Sequence, residues 1–135
     1  MILIIGGAWQ GKLEFAKRLA AEKRPGLAMT DFKPLVAEGS QDDFEAASNR
    51  SVVHGLHEYV RRLLEEQRSI EDFVAGLKAA NPEVIVTTNE LGCGIVPMDP
   101  EERRWREAAG RAALQAAKES DQVYRMVCGI AARIK

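Results

Sequence analysis

A chain of 135 residues with 46% apolar and 29% charged residues can bury a core, and it is expected to form one domain over residues 1–135. The formal net charge is −1 and no long block of one sign occurs, which argues against a nucleic-acid partner, since that would need a clustered basic surface. No apolar run approaches the roughly 20 residues that span a bilayer, and Cys93 and Cys128, with no secretory pattern around them, read as reduced thiols. A cytoplasmic protein without membrane contact is the expectation.

Aromatics are scarce at 6%, so the core must come from Leu, Val, Ile and Ala. Ile2–Ile5 is a continuous apolar run, the pattern of a buried parallel strand. It runs into Gly6-Gly7 with no basic leader, which favours a strand over a signal peptide. Residues 11–23 follow with helical character, placing Phe15, Ala16, Leu19 and Ala20 on one face, and Arg24-Pro25-Gly26 stops this helix. Leu27–Thr30 is a candidate second strand. Asp31–Arg50 is read as a long loop with a short helix around Asp42–Ala47. Ser51–His54 is predicted as the third strand, and Leu56, Tyr59, Val60, Leu63 and Leu64 form a helical stripe after it.

Ser69, with Asp72 three residues on, caps a helix that buries Ile70, Phe73, Val74 and Leu77 and stops before Asn81-Pro82. Val84–Thr88 is the clearest β-branched strand. Asn89–Pro100 is a loop rich in Gly and Pro, and Pro100 opens a helix to about Glu119 with Trp105, Ala109, Ala112 and Ala116 on one face. Val123–Cys128 is a last central strand and Ile130–Lys135 a short terminal one. Strands alternating with helices predict an α/β fold with a mainly parallel sheet covered on both faces, hence three layers.

Gly6-Gly7-Ala8-Trp9-Gln10-Gly11-Lys12 fits G-x-x-x-x-G-K, directly after a strand and before a helix, the context that a phosphate-binding P-loop requires. The glycines let the backbone wrap a phosphate, the amides around Gln10–Leu13 point at it, and the helix N-terminus adds a favourable dipole. Lys12 supplies a point charge for the outer phosphates. The next residue should be Ser or Thr, whose hydroxyl ligates magnesium. Leu13 has no lone pair, so the loop keeps its means of holding phosphate and loses direct ligation of the metal. Trp9 is a candidate to stack on a base or ring, or to lid the loop.

The second half carries Thr88-Asn89-Glu90-Leu91-Gly92-Cys93-Gly94-Ile95-Val96-Pro97 after a strand, then Arg103-Arg104-Trp105-Arg106 leading to Gly110-Arg111, and it closes on Val127-Cys128-Gly129-Ile130 and Ile134-Lys135. Together with the opening loop this resembles the bifunctional adenosylcobinamide kinase / adenosylcobinamide-phosphate guanylyltransferase family of cobalamin biosynthesis, over Met1–Ala20 and about Val84–Lys135. The resemblance implies a P-loop NTPase-like fold with GTP or ATP at the loop. It also implies phosphorylation of the aminopropanol hydroxyl of adenosylcobinamide, GMP transfer through a guanylylated histidine, and assembly as symmetric oligomers. Mapped onto this chain it makes Lys12 and Glu90 the candidate catalytic residues, Glu90 orienting a metal-bound water or polarising a nucleophile. It makes Arg106 and Arg111 candidate anion contacts beside Gly6, Gly7, Ala8, Trp9, Gln10, Gly11, Lys12 and Leu13. Phosphoryl transfer needs chiefly such positioning and charge neutralisation.

The chain departs from that pattern. The family's middle region is longer and carries the guanylyl-acceptor histidine between the second and third strands, whereas residues 27–50 contain no histidine and so no covalent acceptor. The family's third strand ends on an acidic residue that helps hold magnesium, and here His54 stands in that place. Ala113 and Leu114 replace Asn-Gln after the Ala-Gly-Arg triplet. No metal-ligand set can be named, and magnesium is only weakly supported. His54 and His57 as a metal pair would lack a third ligand. Asp31 is a candidate base or a cap, and Cys93 is read as a buried small thiol rather than a nucleophile. Two readings follow: a nucleotide-dependent transferase acting on a corrinoid, or a degenerate P-loop module that holds a nucleotide and regulates or scaffolds a partner. A P-loop kinase for a different small metabolite also fits, because loop and fold do not fix the substrate.

Overall fold

A computed structural model describes residues 1–23 and 35–135. In chain order the elements are β1 (Ile2–Gly6), α1 (Lys12–Lys23), β2 (Val36–Glu38), α2 (Phe44–Asn49), β3 (Val52–His54), α3 (Leu56–Glu65), α4 (Ile70–Ala80), β4 (Ile85–Asn89), α5 (Pro100–Glu119), β5 (Gln122–Val127) and β6 (Ile130–Arg133). The strands form one sheet in the order β2-β3-β4-β1-β5-β6. β1 runs parallel to both β4 and β5, with Leu3 opposite Val86 and Val123, and β2–β3 and β3–β4 are parallel as well. Among the described strands only β6 turns back, pairing antiparallel with β5 from Val127↔Ile130 to Tyr124↔Arg133.

Alternation along β1 divides the core between the two faces. Leu3 faces the helices α3, α4 and α5, where Leu56, Val60, Leu63, Val74, Leu77 and the small-residue stripe Ala108, Ala109, Ala112 and Ala116 close on Val53, Val86 and Val123. Ile2 and Ile4 face α1, whose Ala16 and Ala20, four apart, let the helix lie close on Val52, Ile85 and Met126. The predicted three-layer, mainly parallel α/β fold is thus the observed one. Ser69 caps α4 by accepting from the Asp72 N–H at 3.1 Å, and Pro100 sits in the first turn of α5 behind the Asp99 cap.

Two expectations change. The proposed strand Leu27–Thr30 and Asp31 lie outside the described residues. The segment read as loop from Asp31 to Arg50 contains β2 as well as α2. Three residues are too few to show a strand period, and Gly39-Ser40 behind them reads as turn. Tertiary contacts hold the piece: Arg62 donates to the carbonyls of Gly39 (3.0 Å) and Asp42 (2.5 Å), and its guanidinium lies over Phe44. Phe44, Tyr59 and Phe73 pack edge-on or tilted, with ring centroids 5.3–5.8 Å apart. Gly39 must be glycine, since a Cβ there would run into the Gly55 carbonyl oxygen.

Because β1, β2, β3 and β4 are parallel, their C-terminal ends open on the same edge of the sheet. There the turns after Gly6, Glu38, His54 and Asn89 converge, which is where open α/β sheets place their ligands.

Candidate functional site

The loop between β1 and α1 is shaped by its first residue. Gly6 has φ +151°, and a Cβ there would stand 2.6 Å from the Met126 carbonyl oxygen on β5, nearer than any side chain tolerates. Beyond it the chain turns through Trp9 (φ +60°) and Gly11 (φ +83°) into α1. Gln10 pins the loop to the β5–β6 turn by accepting the Cys128 N–H, while Trp9 projects fully into solvent. Lys12, at the first position of α1, is buried under the loop and donates to the carbonyls of Gly6 (3.2 Å) and Gly7 (2.5 Å). Burial lowers its pKa, and the nearby Glu90 partly opposes that.

In front of the loop lies a cleft of about 560 Å³. Residues 8–14 form one wall; Glu38, Gly39, Ser40, His54, Gly55, His57, Glu58 and Asn89 form the other. The six loop residues from Ala8 to Leu13 all line it. His54 ends β3, and its Nδ1 lies 2.7 Å from the Thr87 hydroxyl of β4. Burial, then Lys12 and Lys17, lower its pKa. His57, in the first turn of α3, is pushed down to about 4, by burial first and then by Lys12, His54 and Arg61. Its Nδ1 accepts the Asn89 backbone N–H at 3.3 Å, and its Nε2 is 2.9 Å from the Asn89 side-chain amide. Trp105 stacks beside the ring and donates its indole N–H to the His57 carbonyl at 2.7 Å; Arg61 in turn lies 3.6 Å above Trp105. Both imidazoles are therefore neutral near pH 7. On the opposite rim Glu38 has a raised pKa, through burial and the adjacent Asp42, with Lys17 working against them.

Glu90 follows β4 directly, and its backbone N–H donates to the Gly6 carbonyl at 3.1 Å, which places it beside the loop. Its carboxylate, however, pairs with Arg125 of β5 at 3.2 Å. Arg106 donates to the carbonyls of Leu91 (2.6 Å) and Ile95 (2.7 Å) and so ties down the loop after β4; Arg103 does the same at Pro97 and Met98. Arg111 forms an exposed ion pair with Glu107 at 2.7 Å. Neither Arg106 nor Arg111 lines the cleft. Cys93, expected to be buried, is exposed in the loop that projects past β4, and Cys128 is also exposed and free. Among the described residues no three His, Cys, Asp or Glu side chains group as metal ligands, and no helix is long and apolar enough to cross a membrane.

The sequence pointed to the loop, both histidines and Glu90, and missed Glu38, Thr87, Asn89 and Arg125. Glu38 sat in the overlooked strand. Thr87 and Arg125 read as ordinary strand residues, because which strands adjoin β1 is not written locally.

The strand–loop–helix at the central strand of a mainly parallel sheet makes this a P-loop NTPase-like α/β fold. The chain belongs to the cobinamide kinase / cobinamide phosphate guanyltransferase family, whose profile matches residues 35–134. It is similar to the bifunctional adenosylcobalamin biosynthesis protein CobU of Salmonella typhimurium, 36% identical over 73 residues that make up 51% of this chain and 40% of that protein. The protein of the same name from Escherichia coli K12 is 36% identical over 66 residues, 49% of this chain and 36% of the relative. The match thus spans about two fifths of each relative's length. The family match starts at β2, so the loop Gly6–Lys12 stands on its own geometry.

Proposed function

We propose that this protein binds a nucleoside triphosphate, GTP or ATP, at Gly6–Lys12 and transfers a phosphoryl group to a corrinoid alcohol, the kinase half of the activity its family is named for. The observation that supports this most is Lys12: an ammonium held under a strand–loop–helix turn at the mouth of a 560 Å³ cleft. Two of its three hydrogens go to carbonyls of the loop, which leaves one to offer. An outer phosphate offers a stronger, charge-assisted acceptor, and the amides of residues 10–13 at the start of α1 add donors and dipole. The triphosphate supplies the transferable group. Glu90, paired with Arg125, partly offsets the burial that lowers the Lys12 pKa and so favours the charged lysine. Among the described residues no His, Cys, Asp or Glu group would hold magnesium, and Leu13 and His54 stand where the family resemblance implies oxygens, so any such ion would arrive on the phosphates. The guanylyl half has no histidine in the described part of the middle region.

The test is purified protein with adenosylcobinamide, magnesium and either ATP or GTP, followed by mass analysis of the corrinoid; a gain of one phosphate is expected. An unchanged corrinoid alongside clear triphosphate binding would establish the second reading, a nucleotide-holding module without transfer, which the loss of both oxygens favours. The setting proposed is the cytoplasm. We also propose self-association, because Ile95, Val96 and Met98 present exposed apolar side chains next to the site; light scattering at about 15 kDa would refute it.

A further inference from the structure

Thr87 is fully buried, and its hydroxyl has two neighbours among the described residues: the Gly55 backbone N–H at 3.2 Å and the His54 Nδ1 at 2.7 Å. The Gly55 N–H can only donate, so it occupies one lone pair of the hydroxyl oxygen. The hydroxyl's own hydrogen then needs an acceptor, and His54 Nδ1 is the one within reach. Were Nδ1 protonated, the hydroxyl would accept twice and leave its hydrogen buried without a partner, a state that costs about 1–3 kcal/mol. Proton accounting therefore puts the lone pair of His54 on Nδ1 and the hydrogen on Nε2, the nitrogen left to face the cleft. The charged and titratable groups bearing on this ring are Lys12 and Lys17 from α1 and His57 from α3.

Resting on the phosphate-site reading above, we infer that Thr87 fixes His54 as the Nε2–H tautomer, so that His54 is a neutral hydrogen-bond donor to a phosphoryl oxygen held beside Lys12. The same hydrogen disqualifies His54 as a covalent nucleotide carrier. Attack on an α-phosphorus forms an N–P bond as pyrophosphate leaves, and the attacking nitrogen must bring a lone pair. Nε2 has none to give. A fixed neutral donor aimed into the cleft stabilises charge on a phosphoryl oxygen without itself having to be desolvated as an ion. Thr87 is the positioning residue: it orders the β3–α3 turn through Gly55 and sets the tautomer through Nδ1 with a single hydroxyl.

Long-range proton–nitrogen correlation spectra of the nitrogen-15-labelled protein read the tautomer directly. Nε2–H is expected in the free protein, preserved in Thr87→Ser and lost to a mixture in Thr87→Val. An Nδ1–H signal in the wild type overturns the inference and leaves the phosphate site standing. Calorimetry with ATP and GTP tests the donor: His54→Phe should weaken binding about tenfold, and wild-type affinity in that variant refutes the role. Failure of the wild type to bind either triphosphate would remove the phosphate-site reading and the donor role together, even with Nε2–H observed. A GMP-sized mass on the intact protein after incubation with GTP, absent in His54→Ala, would also overturn the inference.

Discussion

Replacing Lys12 with methionine separates the two jobs of that side chain. In the free protein its charge is desolvated, which opposes folding, and its two hydrogen bonds to the Gly6 and Gly7 carbonyls favour it. Methionine has nearly the same length and flexibility, so Lys12→Met removes both effects at once and should alter the stability of the free protein by less than about 1 kcal/mol. The ligand-bound protein behaves differently. Loss of a charge-assisted phosphate contact should weaken triphosphate binding roughly tenfold to a hundredfold. At a ligand concentration a hundred times the wild-type Kd, binding stabilises the wild type by about 2.7 kcal/mol. The variant retains about 1.4 kcal/mol if its affinity falls tenfold and about 0.4 kcal/mol if it falls a hundredfold. For a chain of this size those figures correspond to a rise in Tm of about 9 °C in the wild type and about 1–5 °C in the variant. Thermal unfolding with and without GTP or ATP measures both quantities. An equal rise in the two proteins would mean that Lys12 does not meet the phosphates.

The two loop glycines should differ sharply. Gly6→Ala forces a Cβ against the Met126 carbonyl oxygen at a positive φ and should cost about 2–4 kcal/mol in urea unfolding, whereas at Gly7 the nearest atom to an added Cβ is Gln10 Cγ at 3.6 Å and the change should cost under about 1 kcal/mol; equal losses would contradict the close approach of β1 and β5. His57 sets an acid limit. Its pKa is about 4 in the fold against an ordinary 6.5, so the native state binds fewer protons between those values. Stability from this group is complete above pH 6.5 and falls as pH drops through the window toward 4, by about 3 kcal/mol in all; a His57→Gln variant should show a flatter profile between pH 4 and 6.5, and an identical slope would refute the assignment. Leu13→Ser restores a hydroxyl behind the lysine and should make triphosphate affinity more dependent on magnesium in calorimetric titrations; unchanged dependence would show that no ion sits at that point.

Much of the fold was legible because the signals were local. A continuous apolar run marked β1, β-branched residues marked β4, Ser69 and Pro100 marked helix starts, and the alanine spacing of α5 marked its buried stripe. β2 was not legible, because nothing within Val36–Glu38 holds it as a strand. Its reasons lie in Arg62 of α3, the rings of Tyr59 and Phe73, and the bare backbone of Gly39 against Gly55. The loop Gly6–Lys12 could be read from spacing alone, since its chemistry is carried by consecutive residues. The far wall of the cleft could not, for it is assembled from the ends of β2, β3 and β4, and only the strand order brings Glu38, His54 and Thr87 to one edge.

The two departures around Lys12 belong to one electrostatic problem. A triphosphate normally has its charge met by lysine, backbone amides and a metal held from two sides by protein oxygens. In the reading proposed above, Leu13 and His54 stand at the two places where the family resemblance implies oxygens, so the metal's anchorage falls away from both sides together. What remains is graded in strength: the ammonium of Lys12, the start of α1, and the imidazole of His54, whose pKa burial and the two lysines lower and which therefore acts as a dipole rather than a charge. Carboxylates of Glu14, Glu38 and Glu58 share the cleft and oppose an anion there. Such a site should hold a triphosphate with modest affinity and weak metal coupling. It should rely on fixed dipoles for transition-state charge, which makes the orientation of His54 by Thr87 count for more than it would beside a protein-held magnesium.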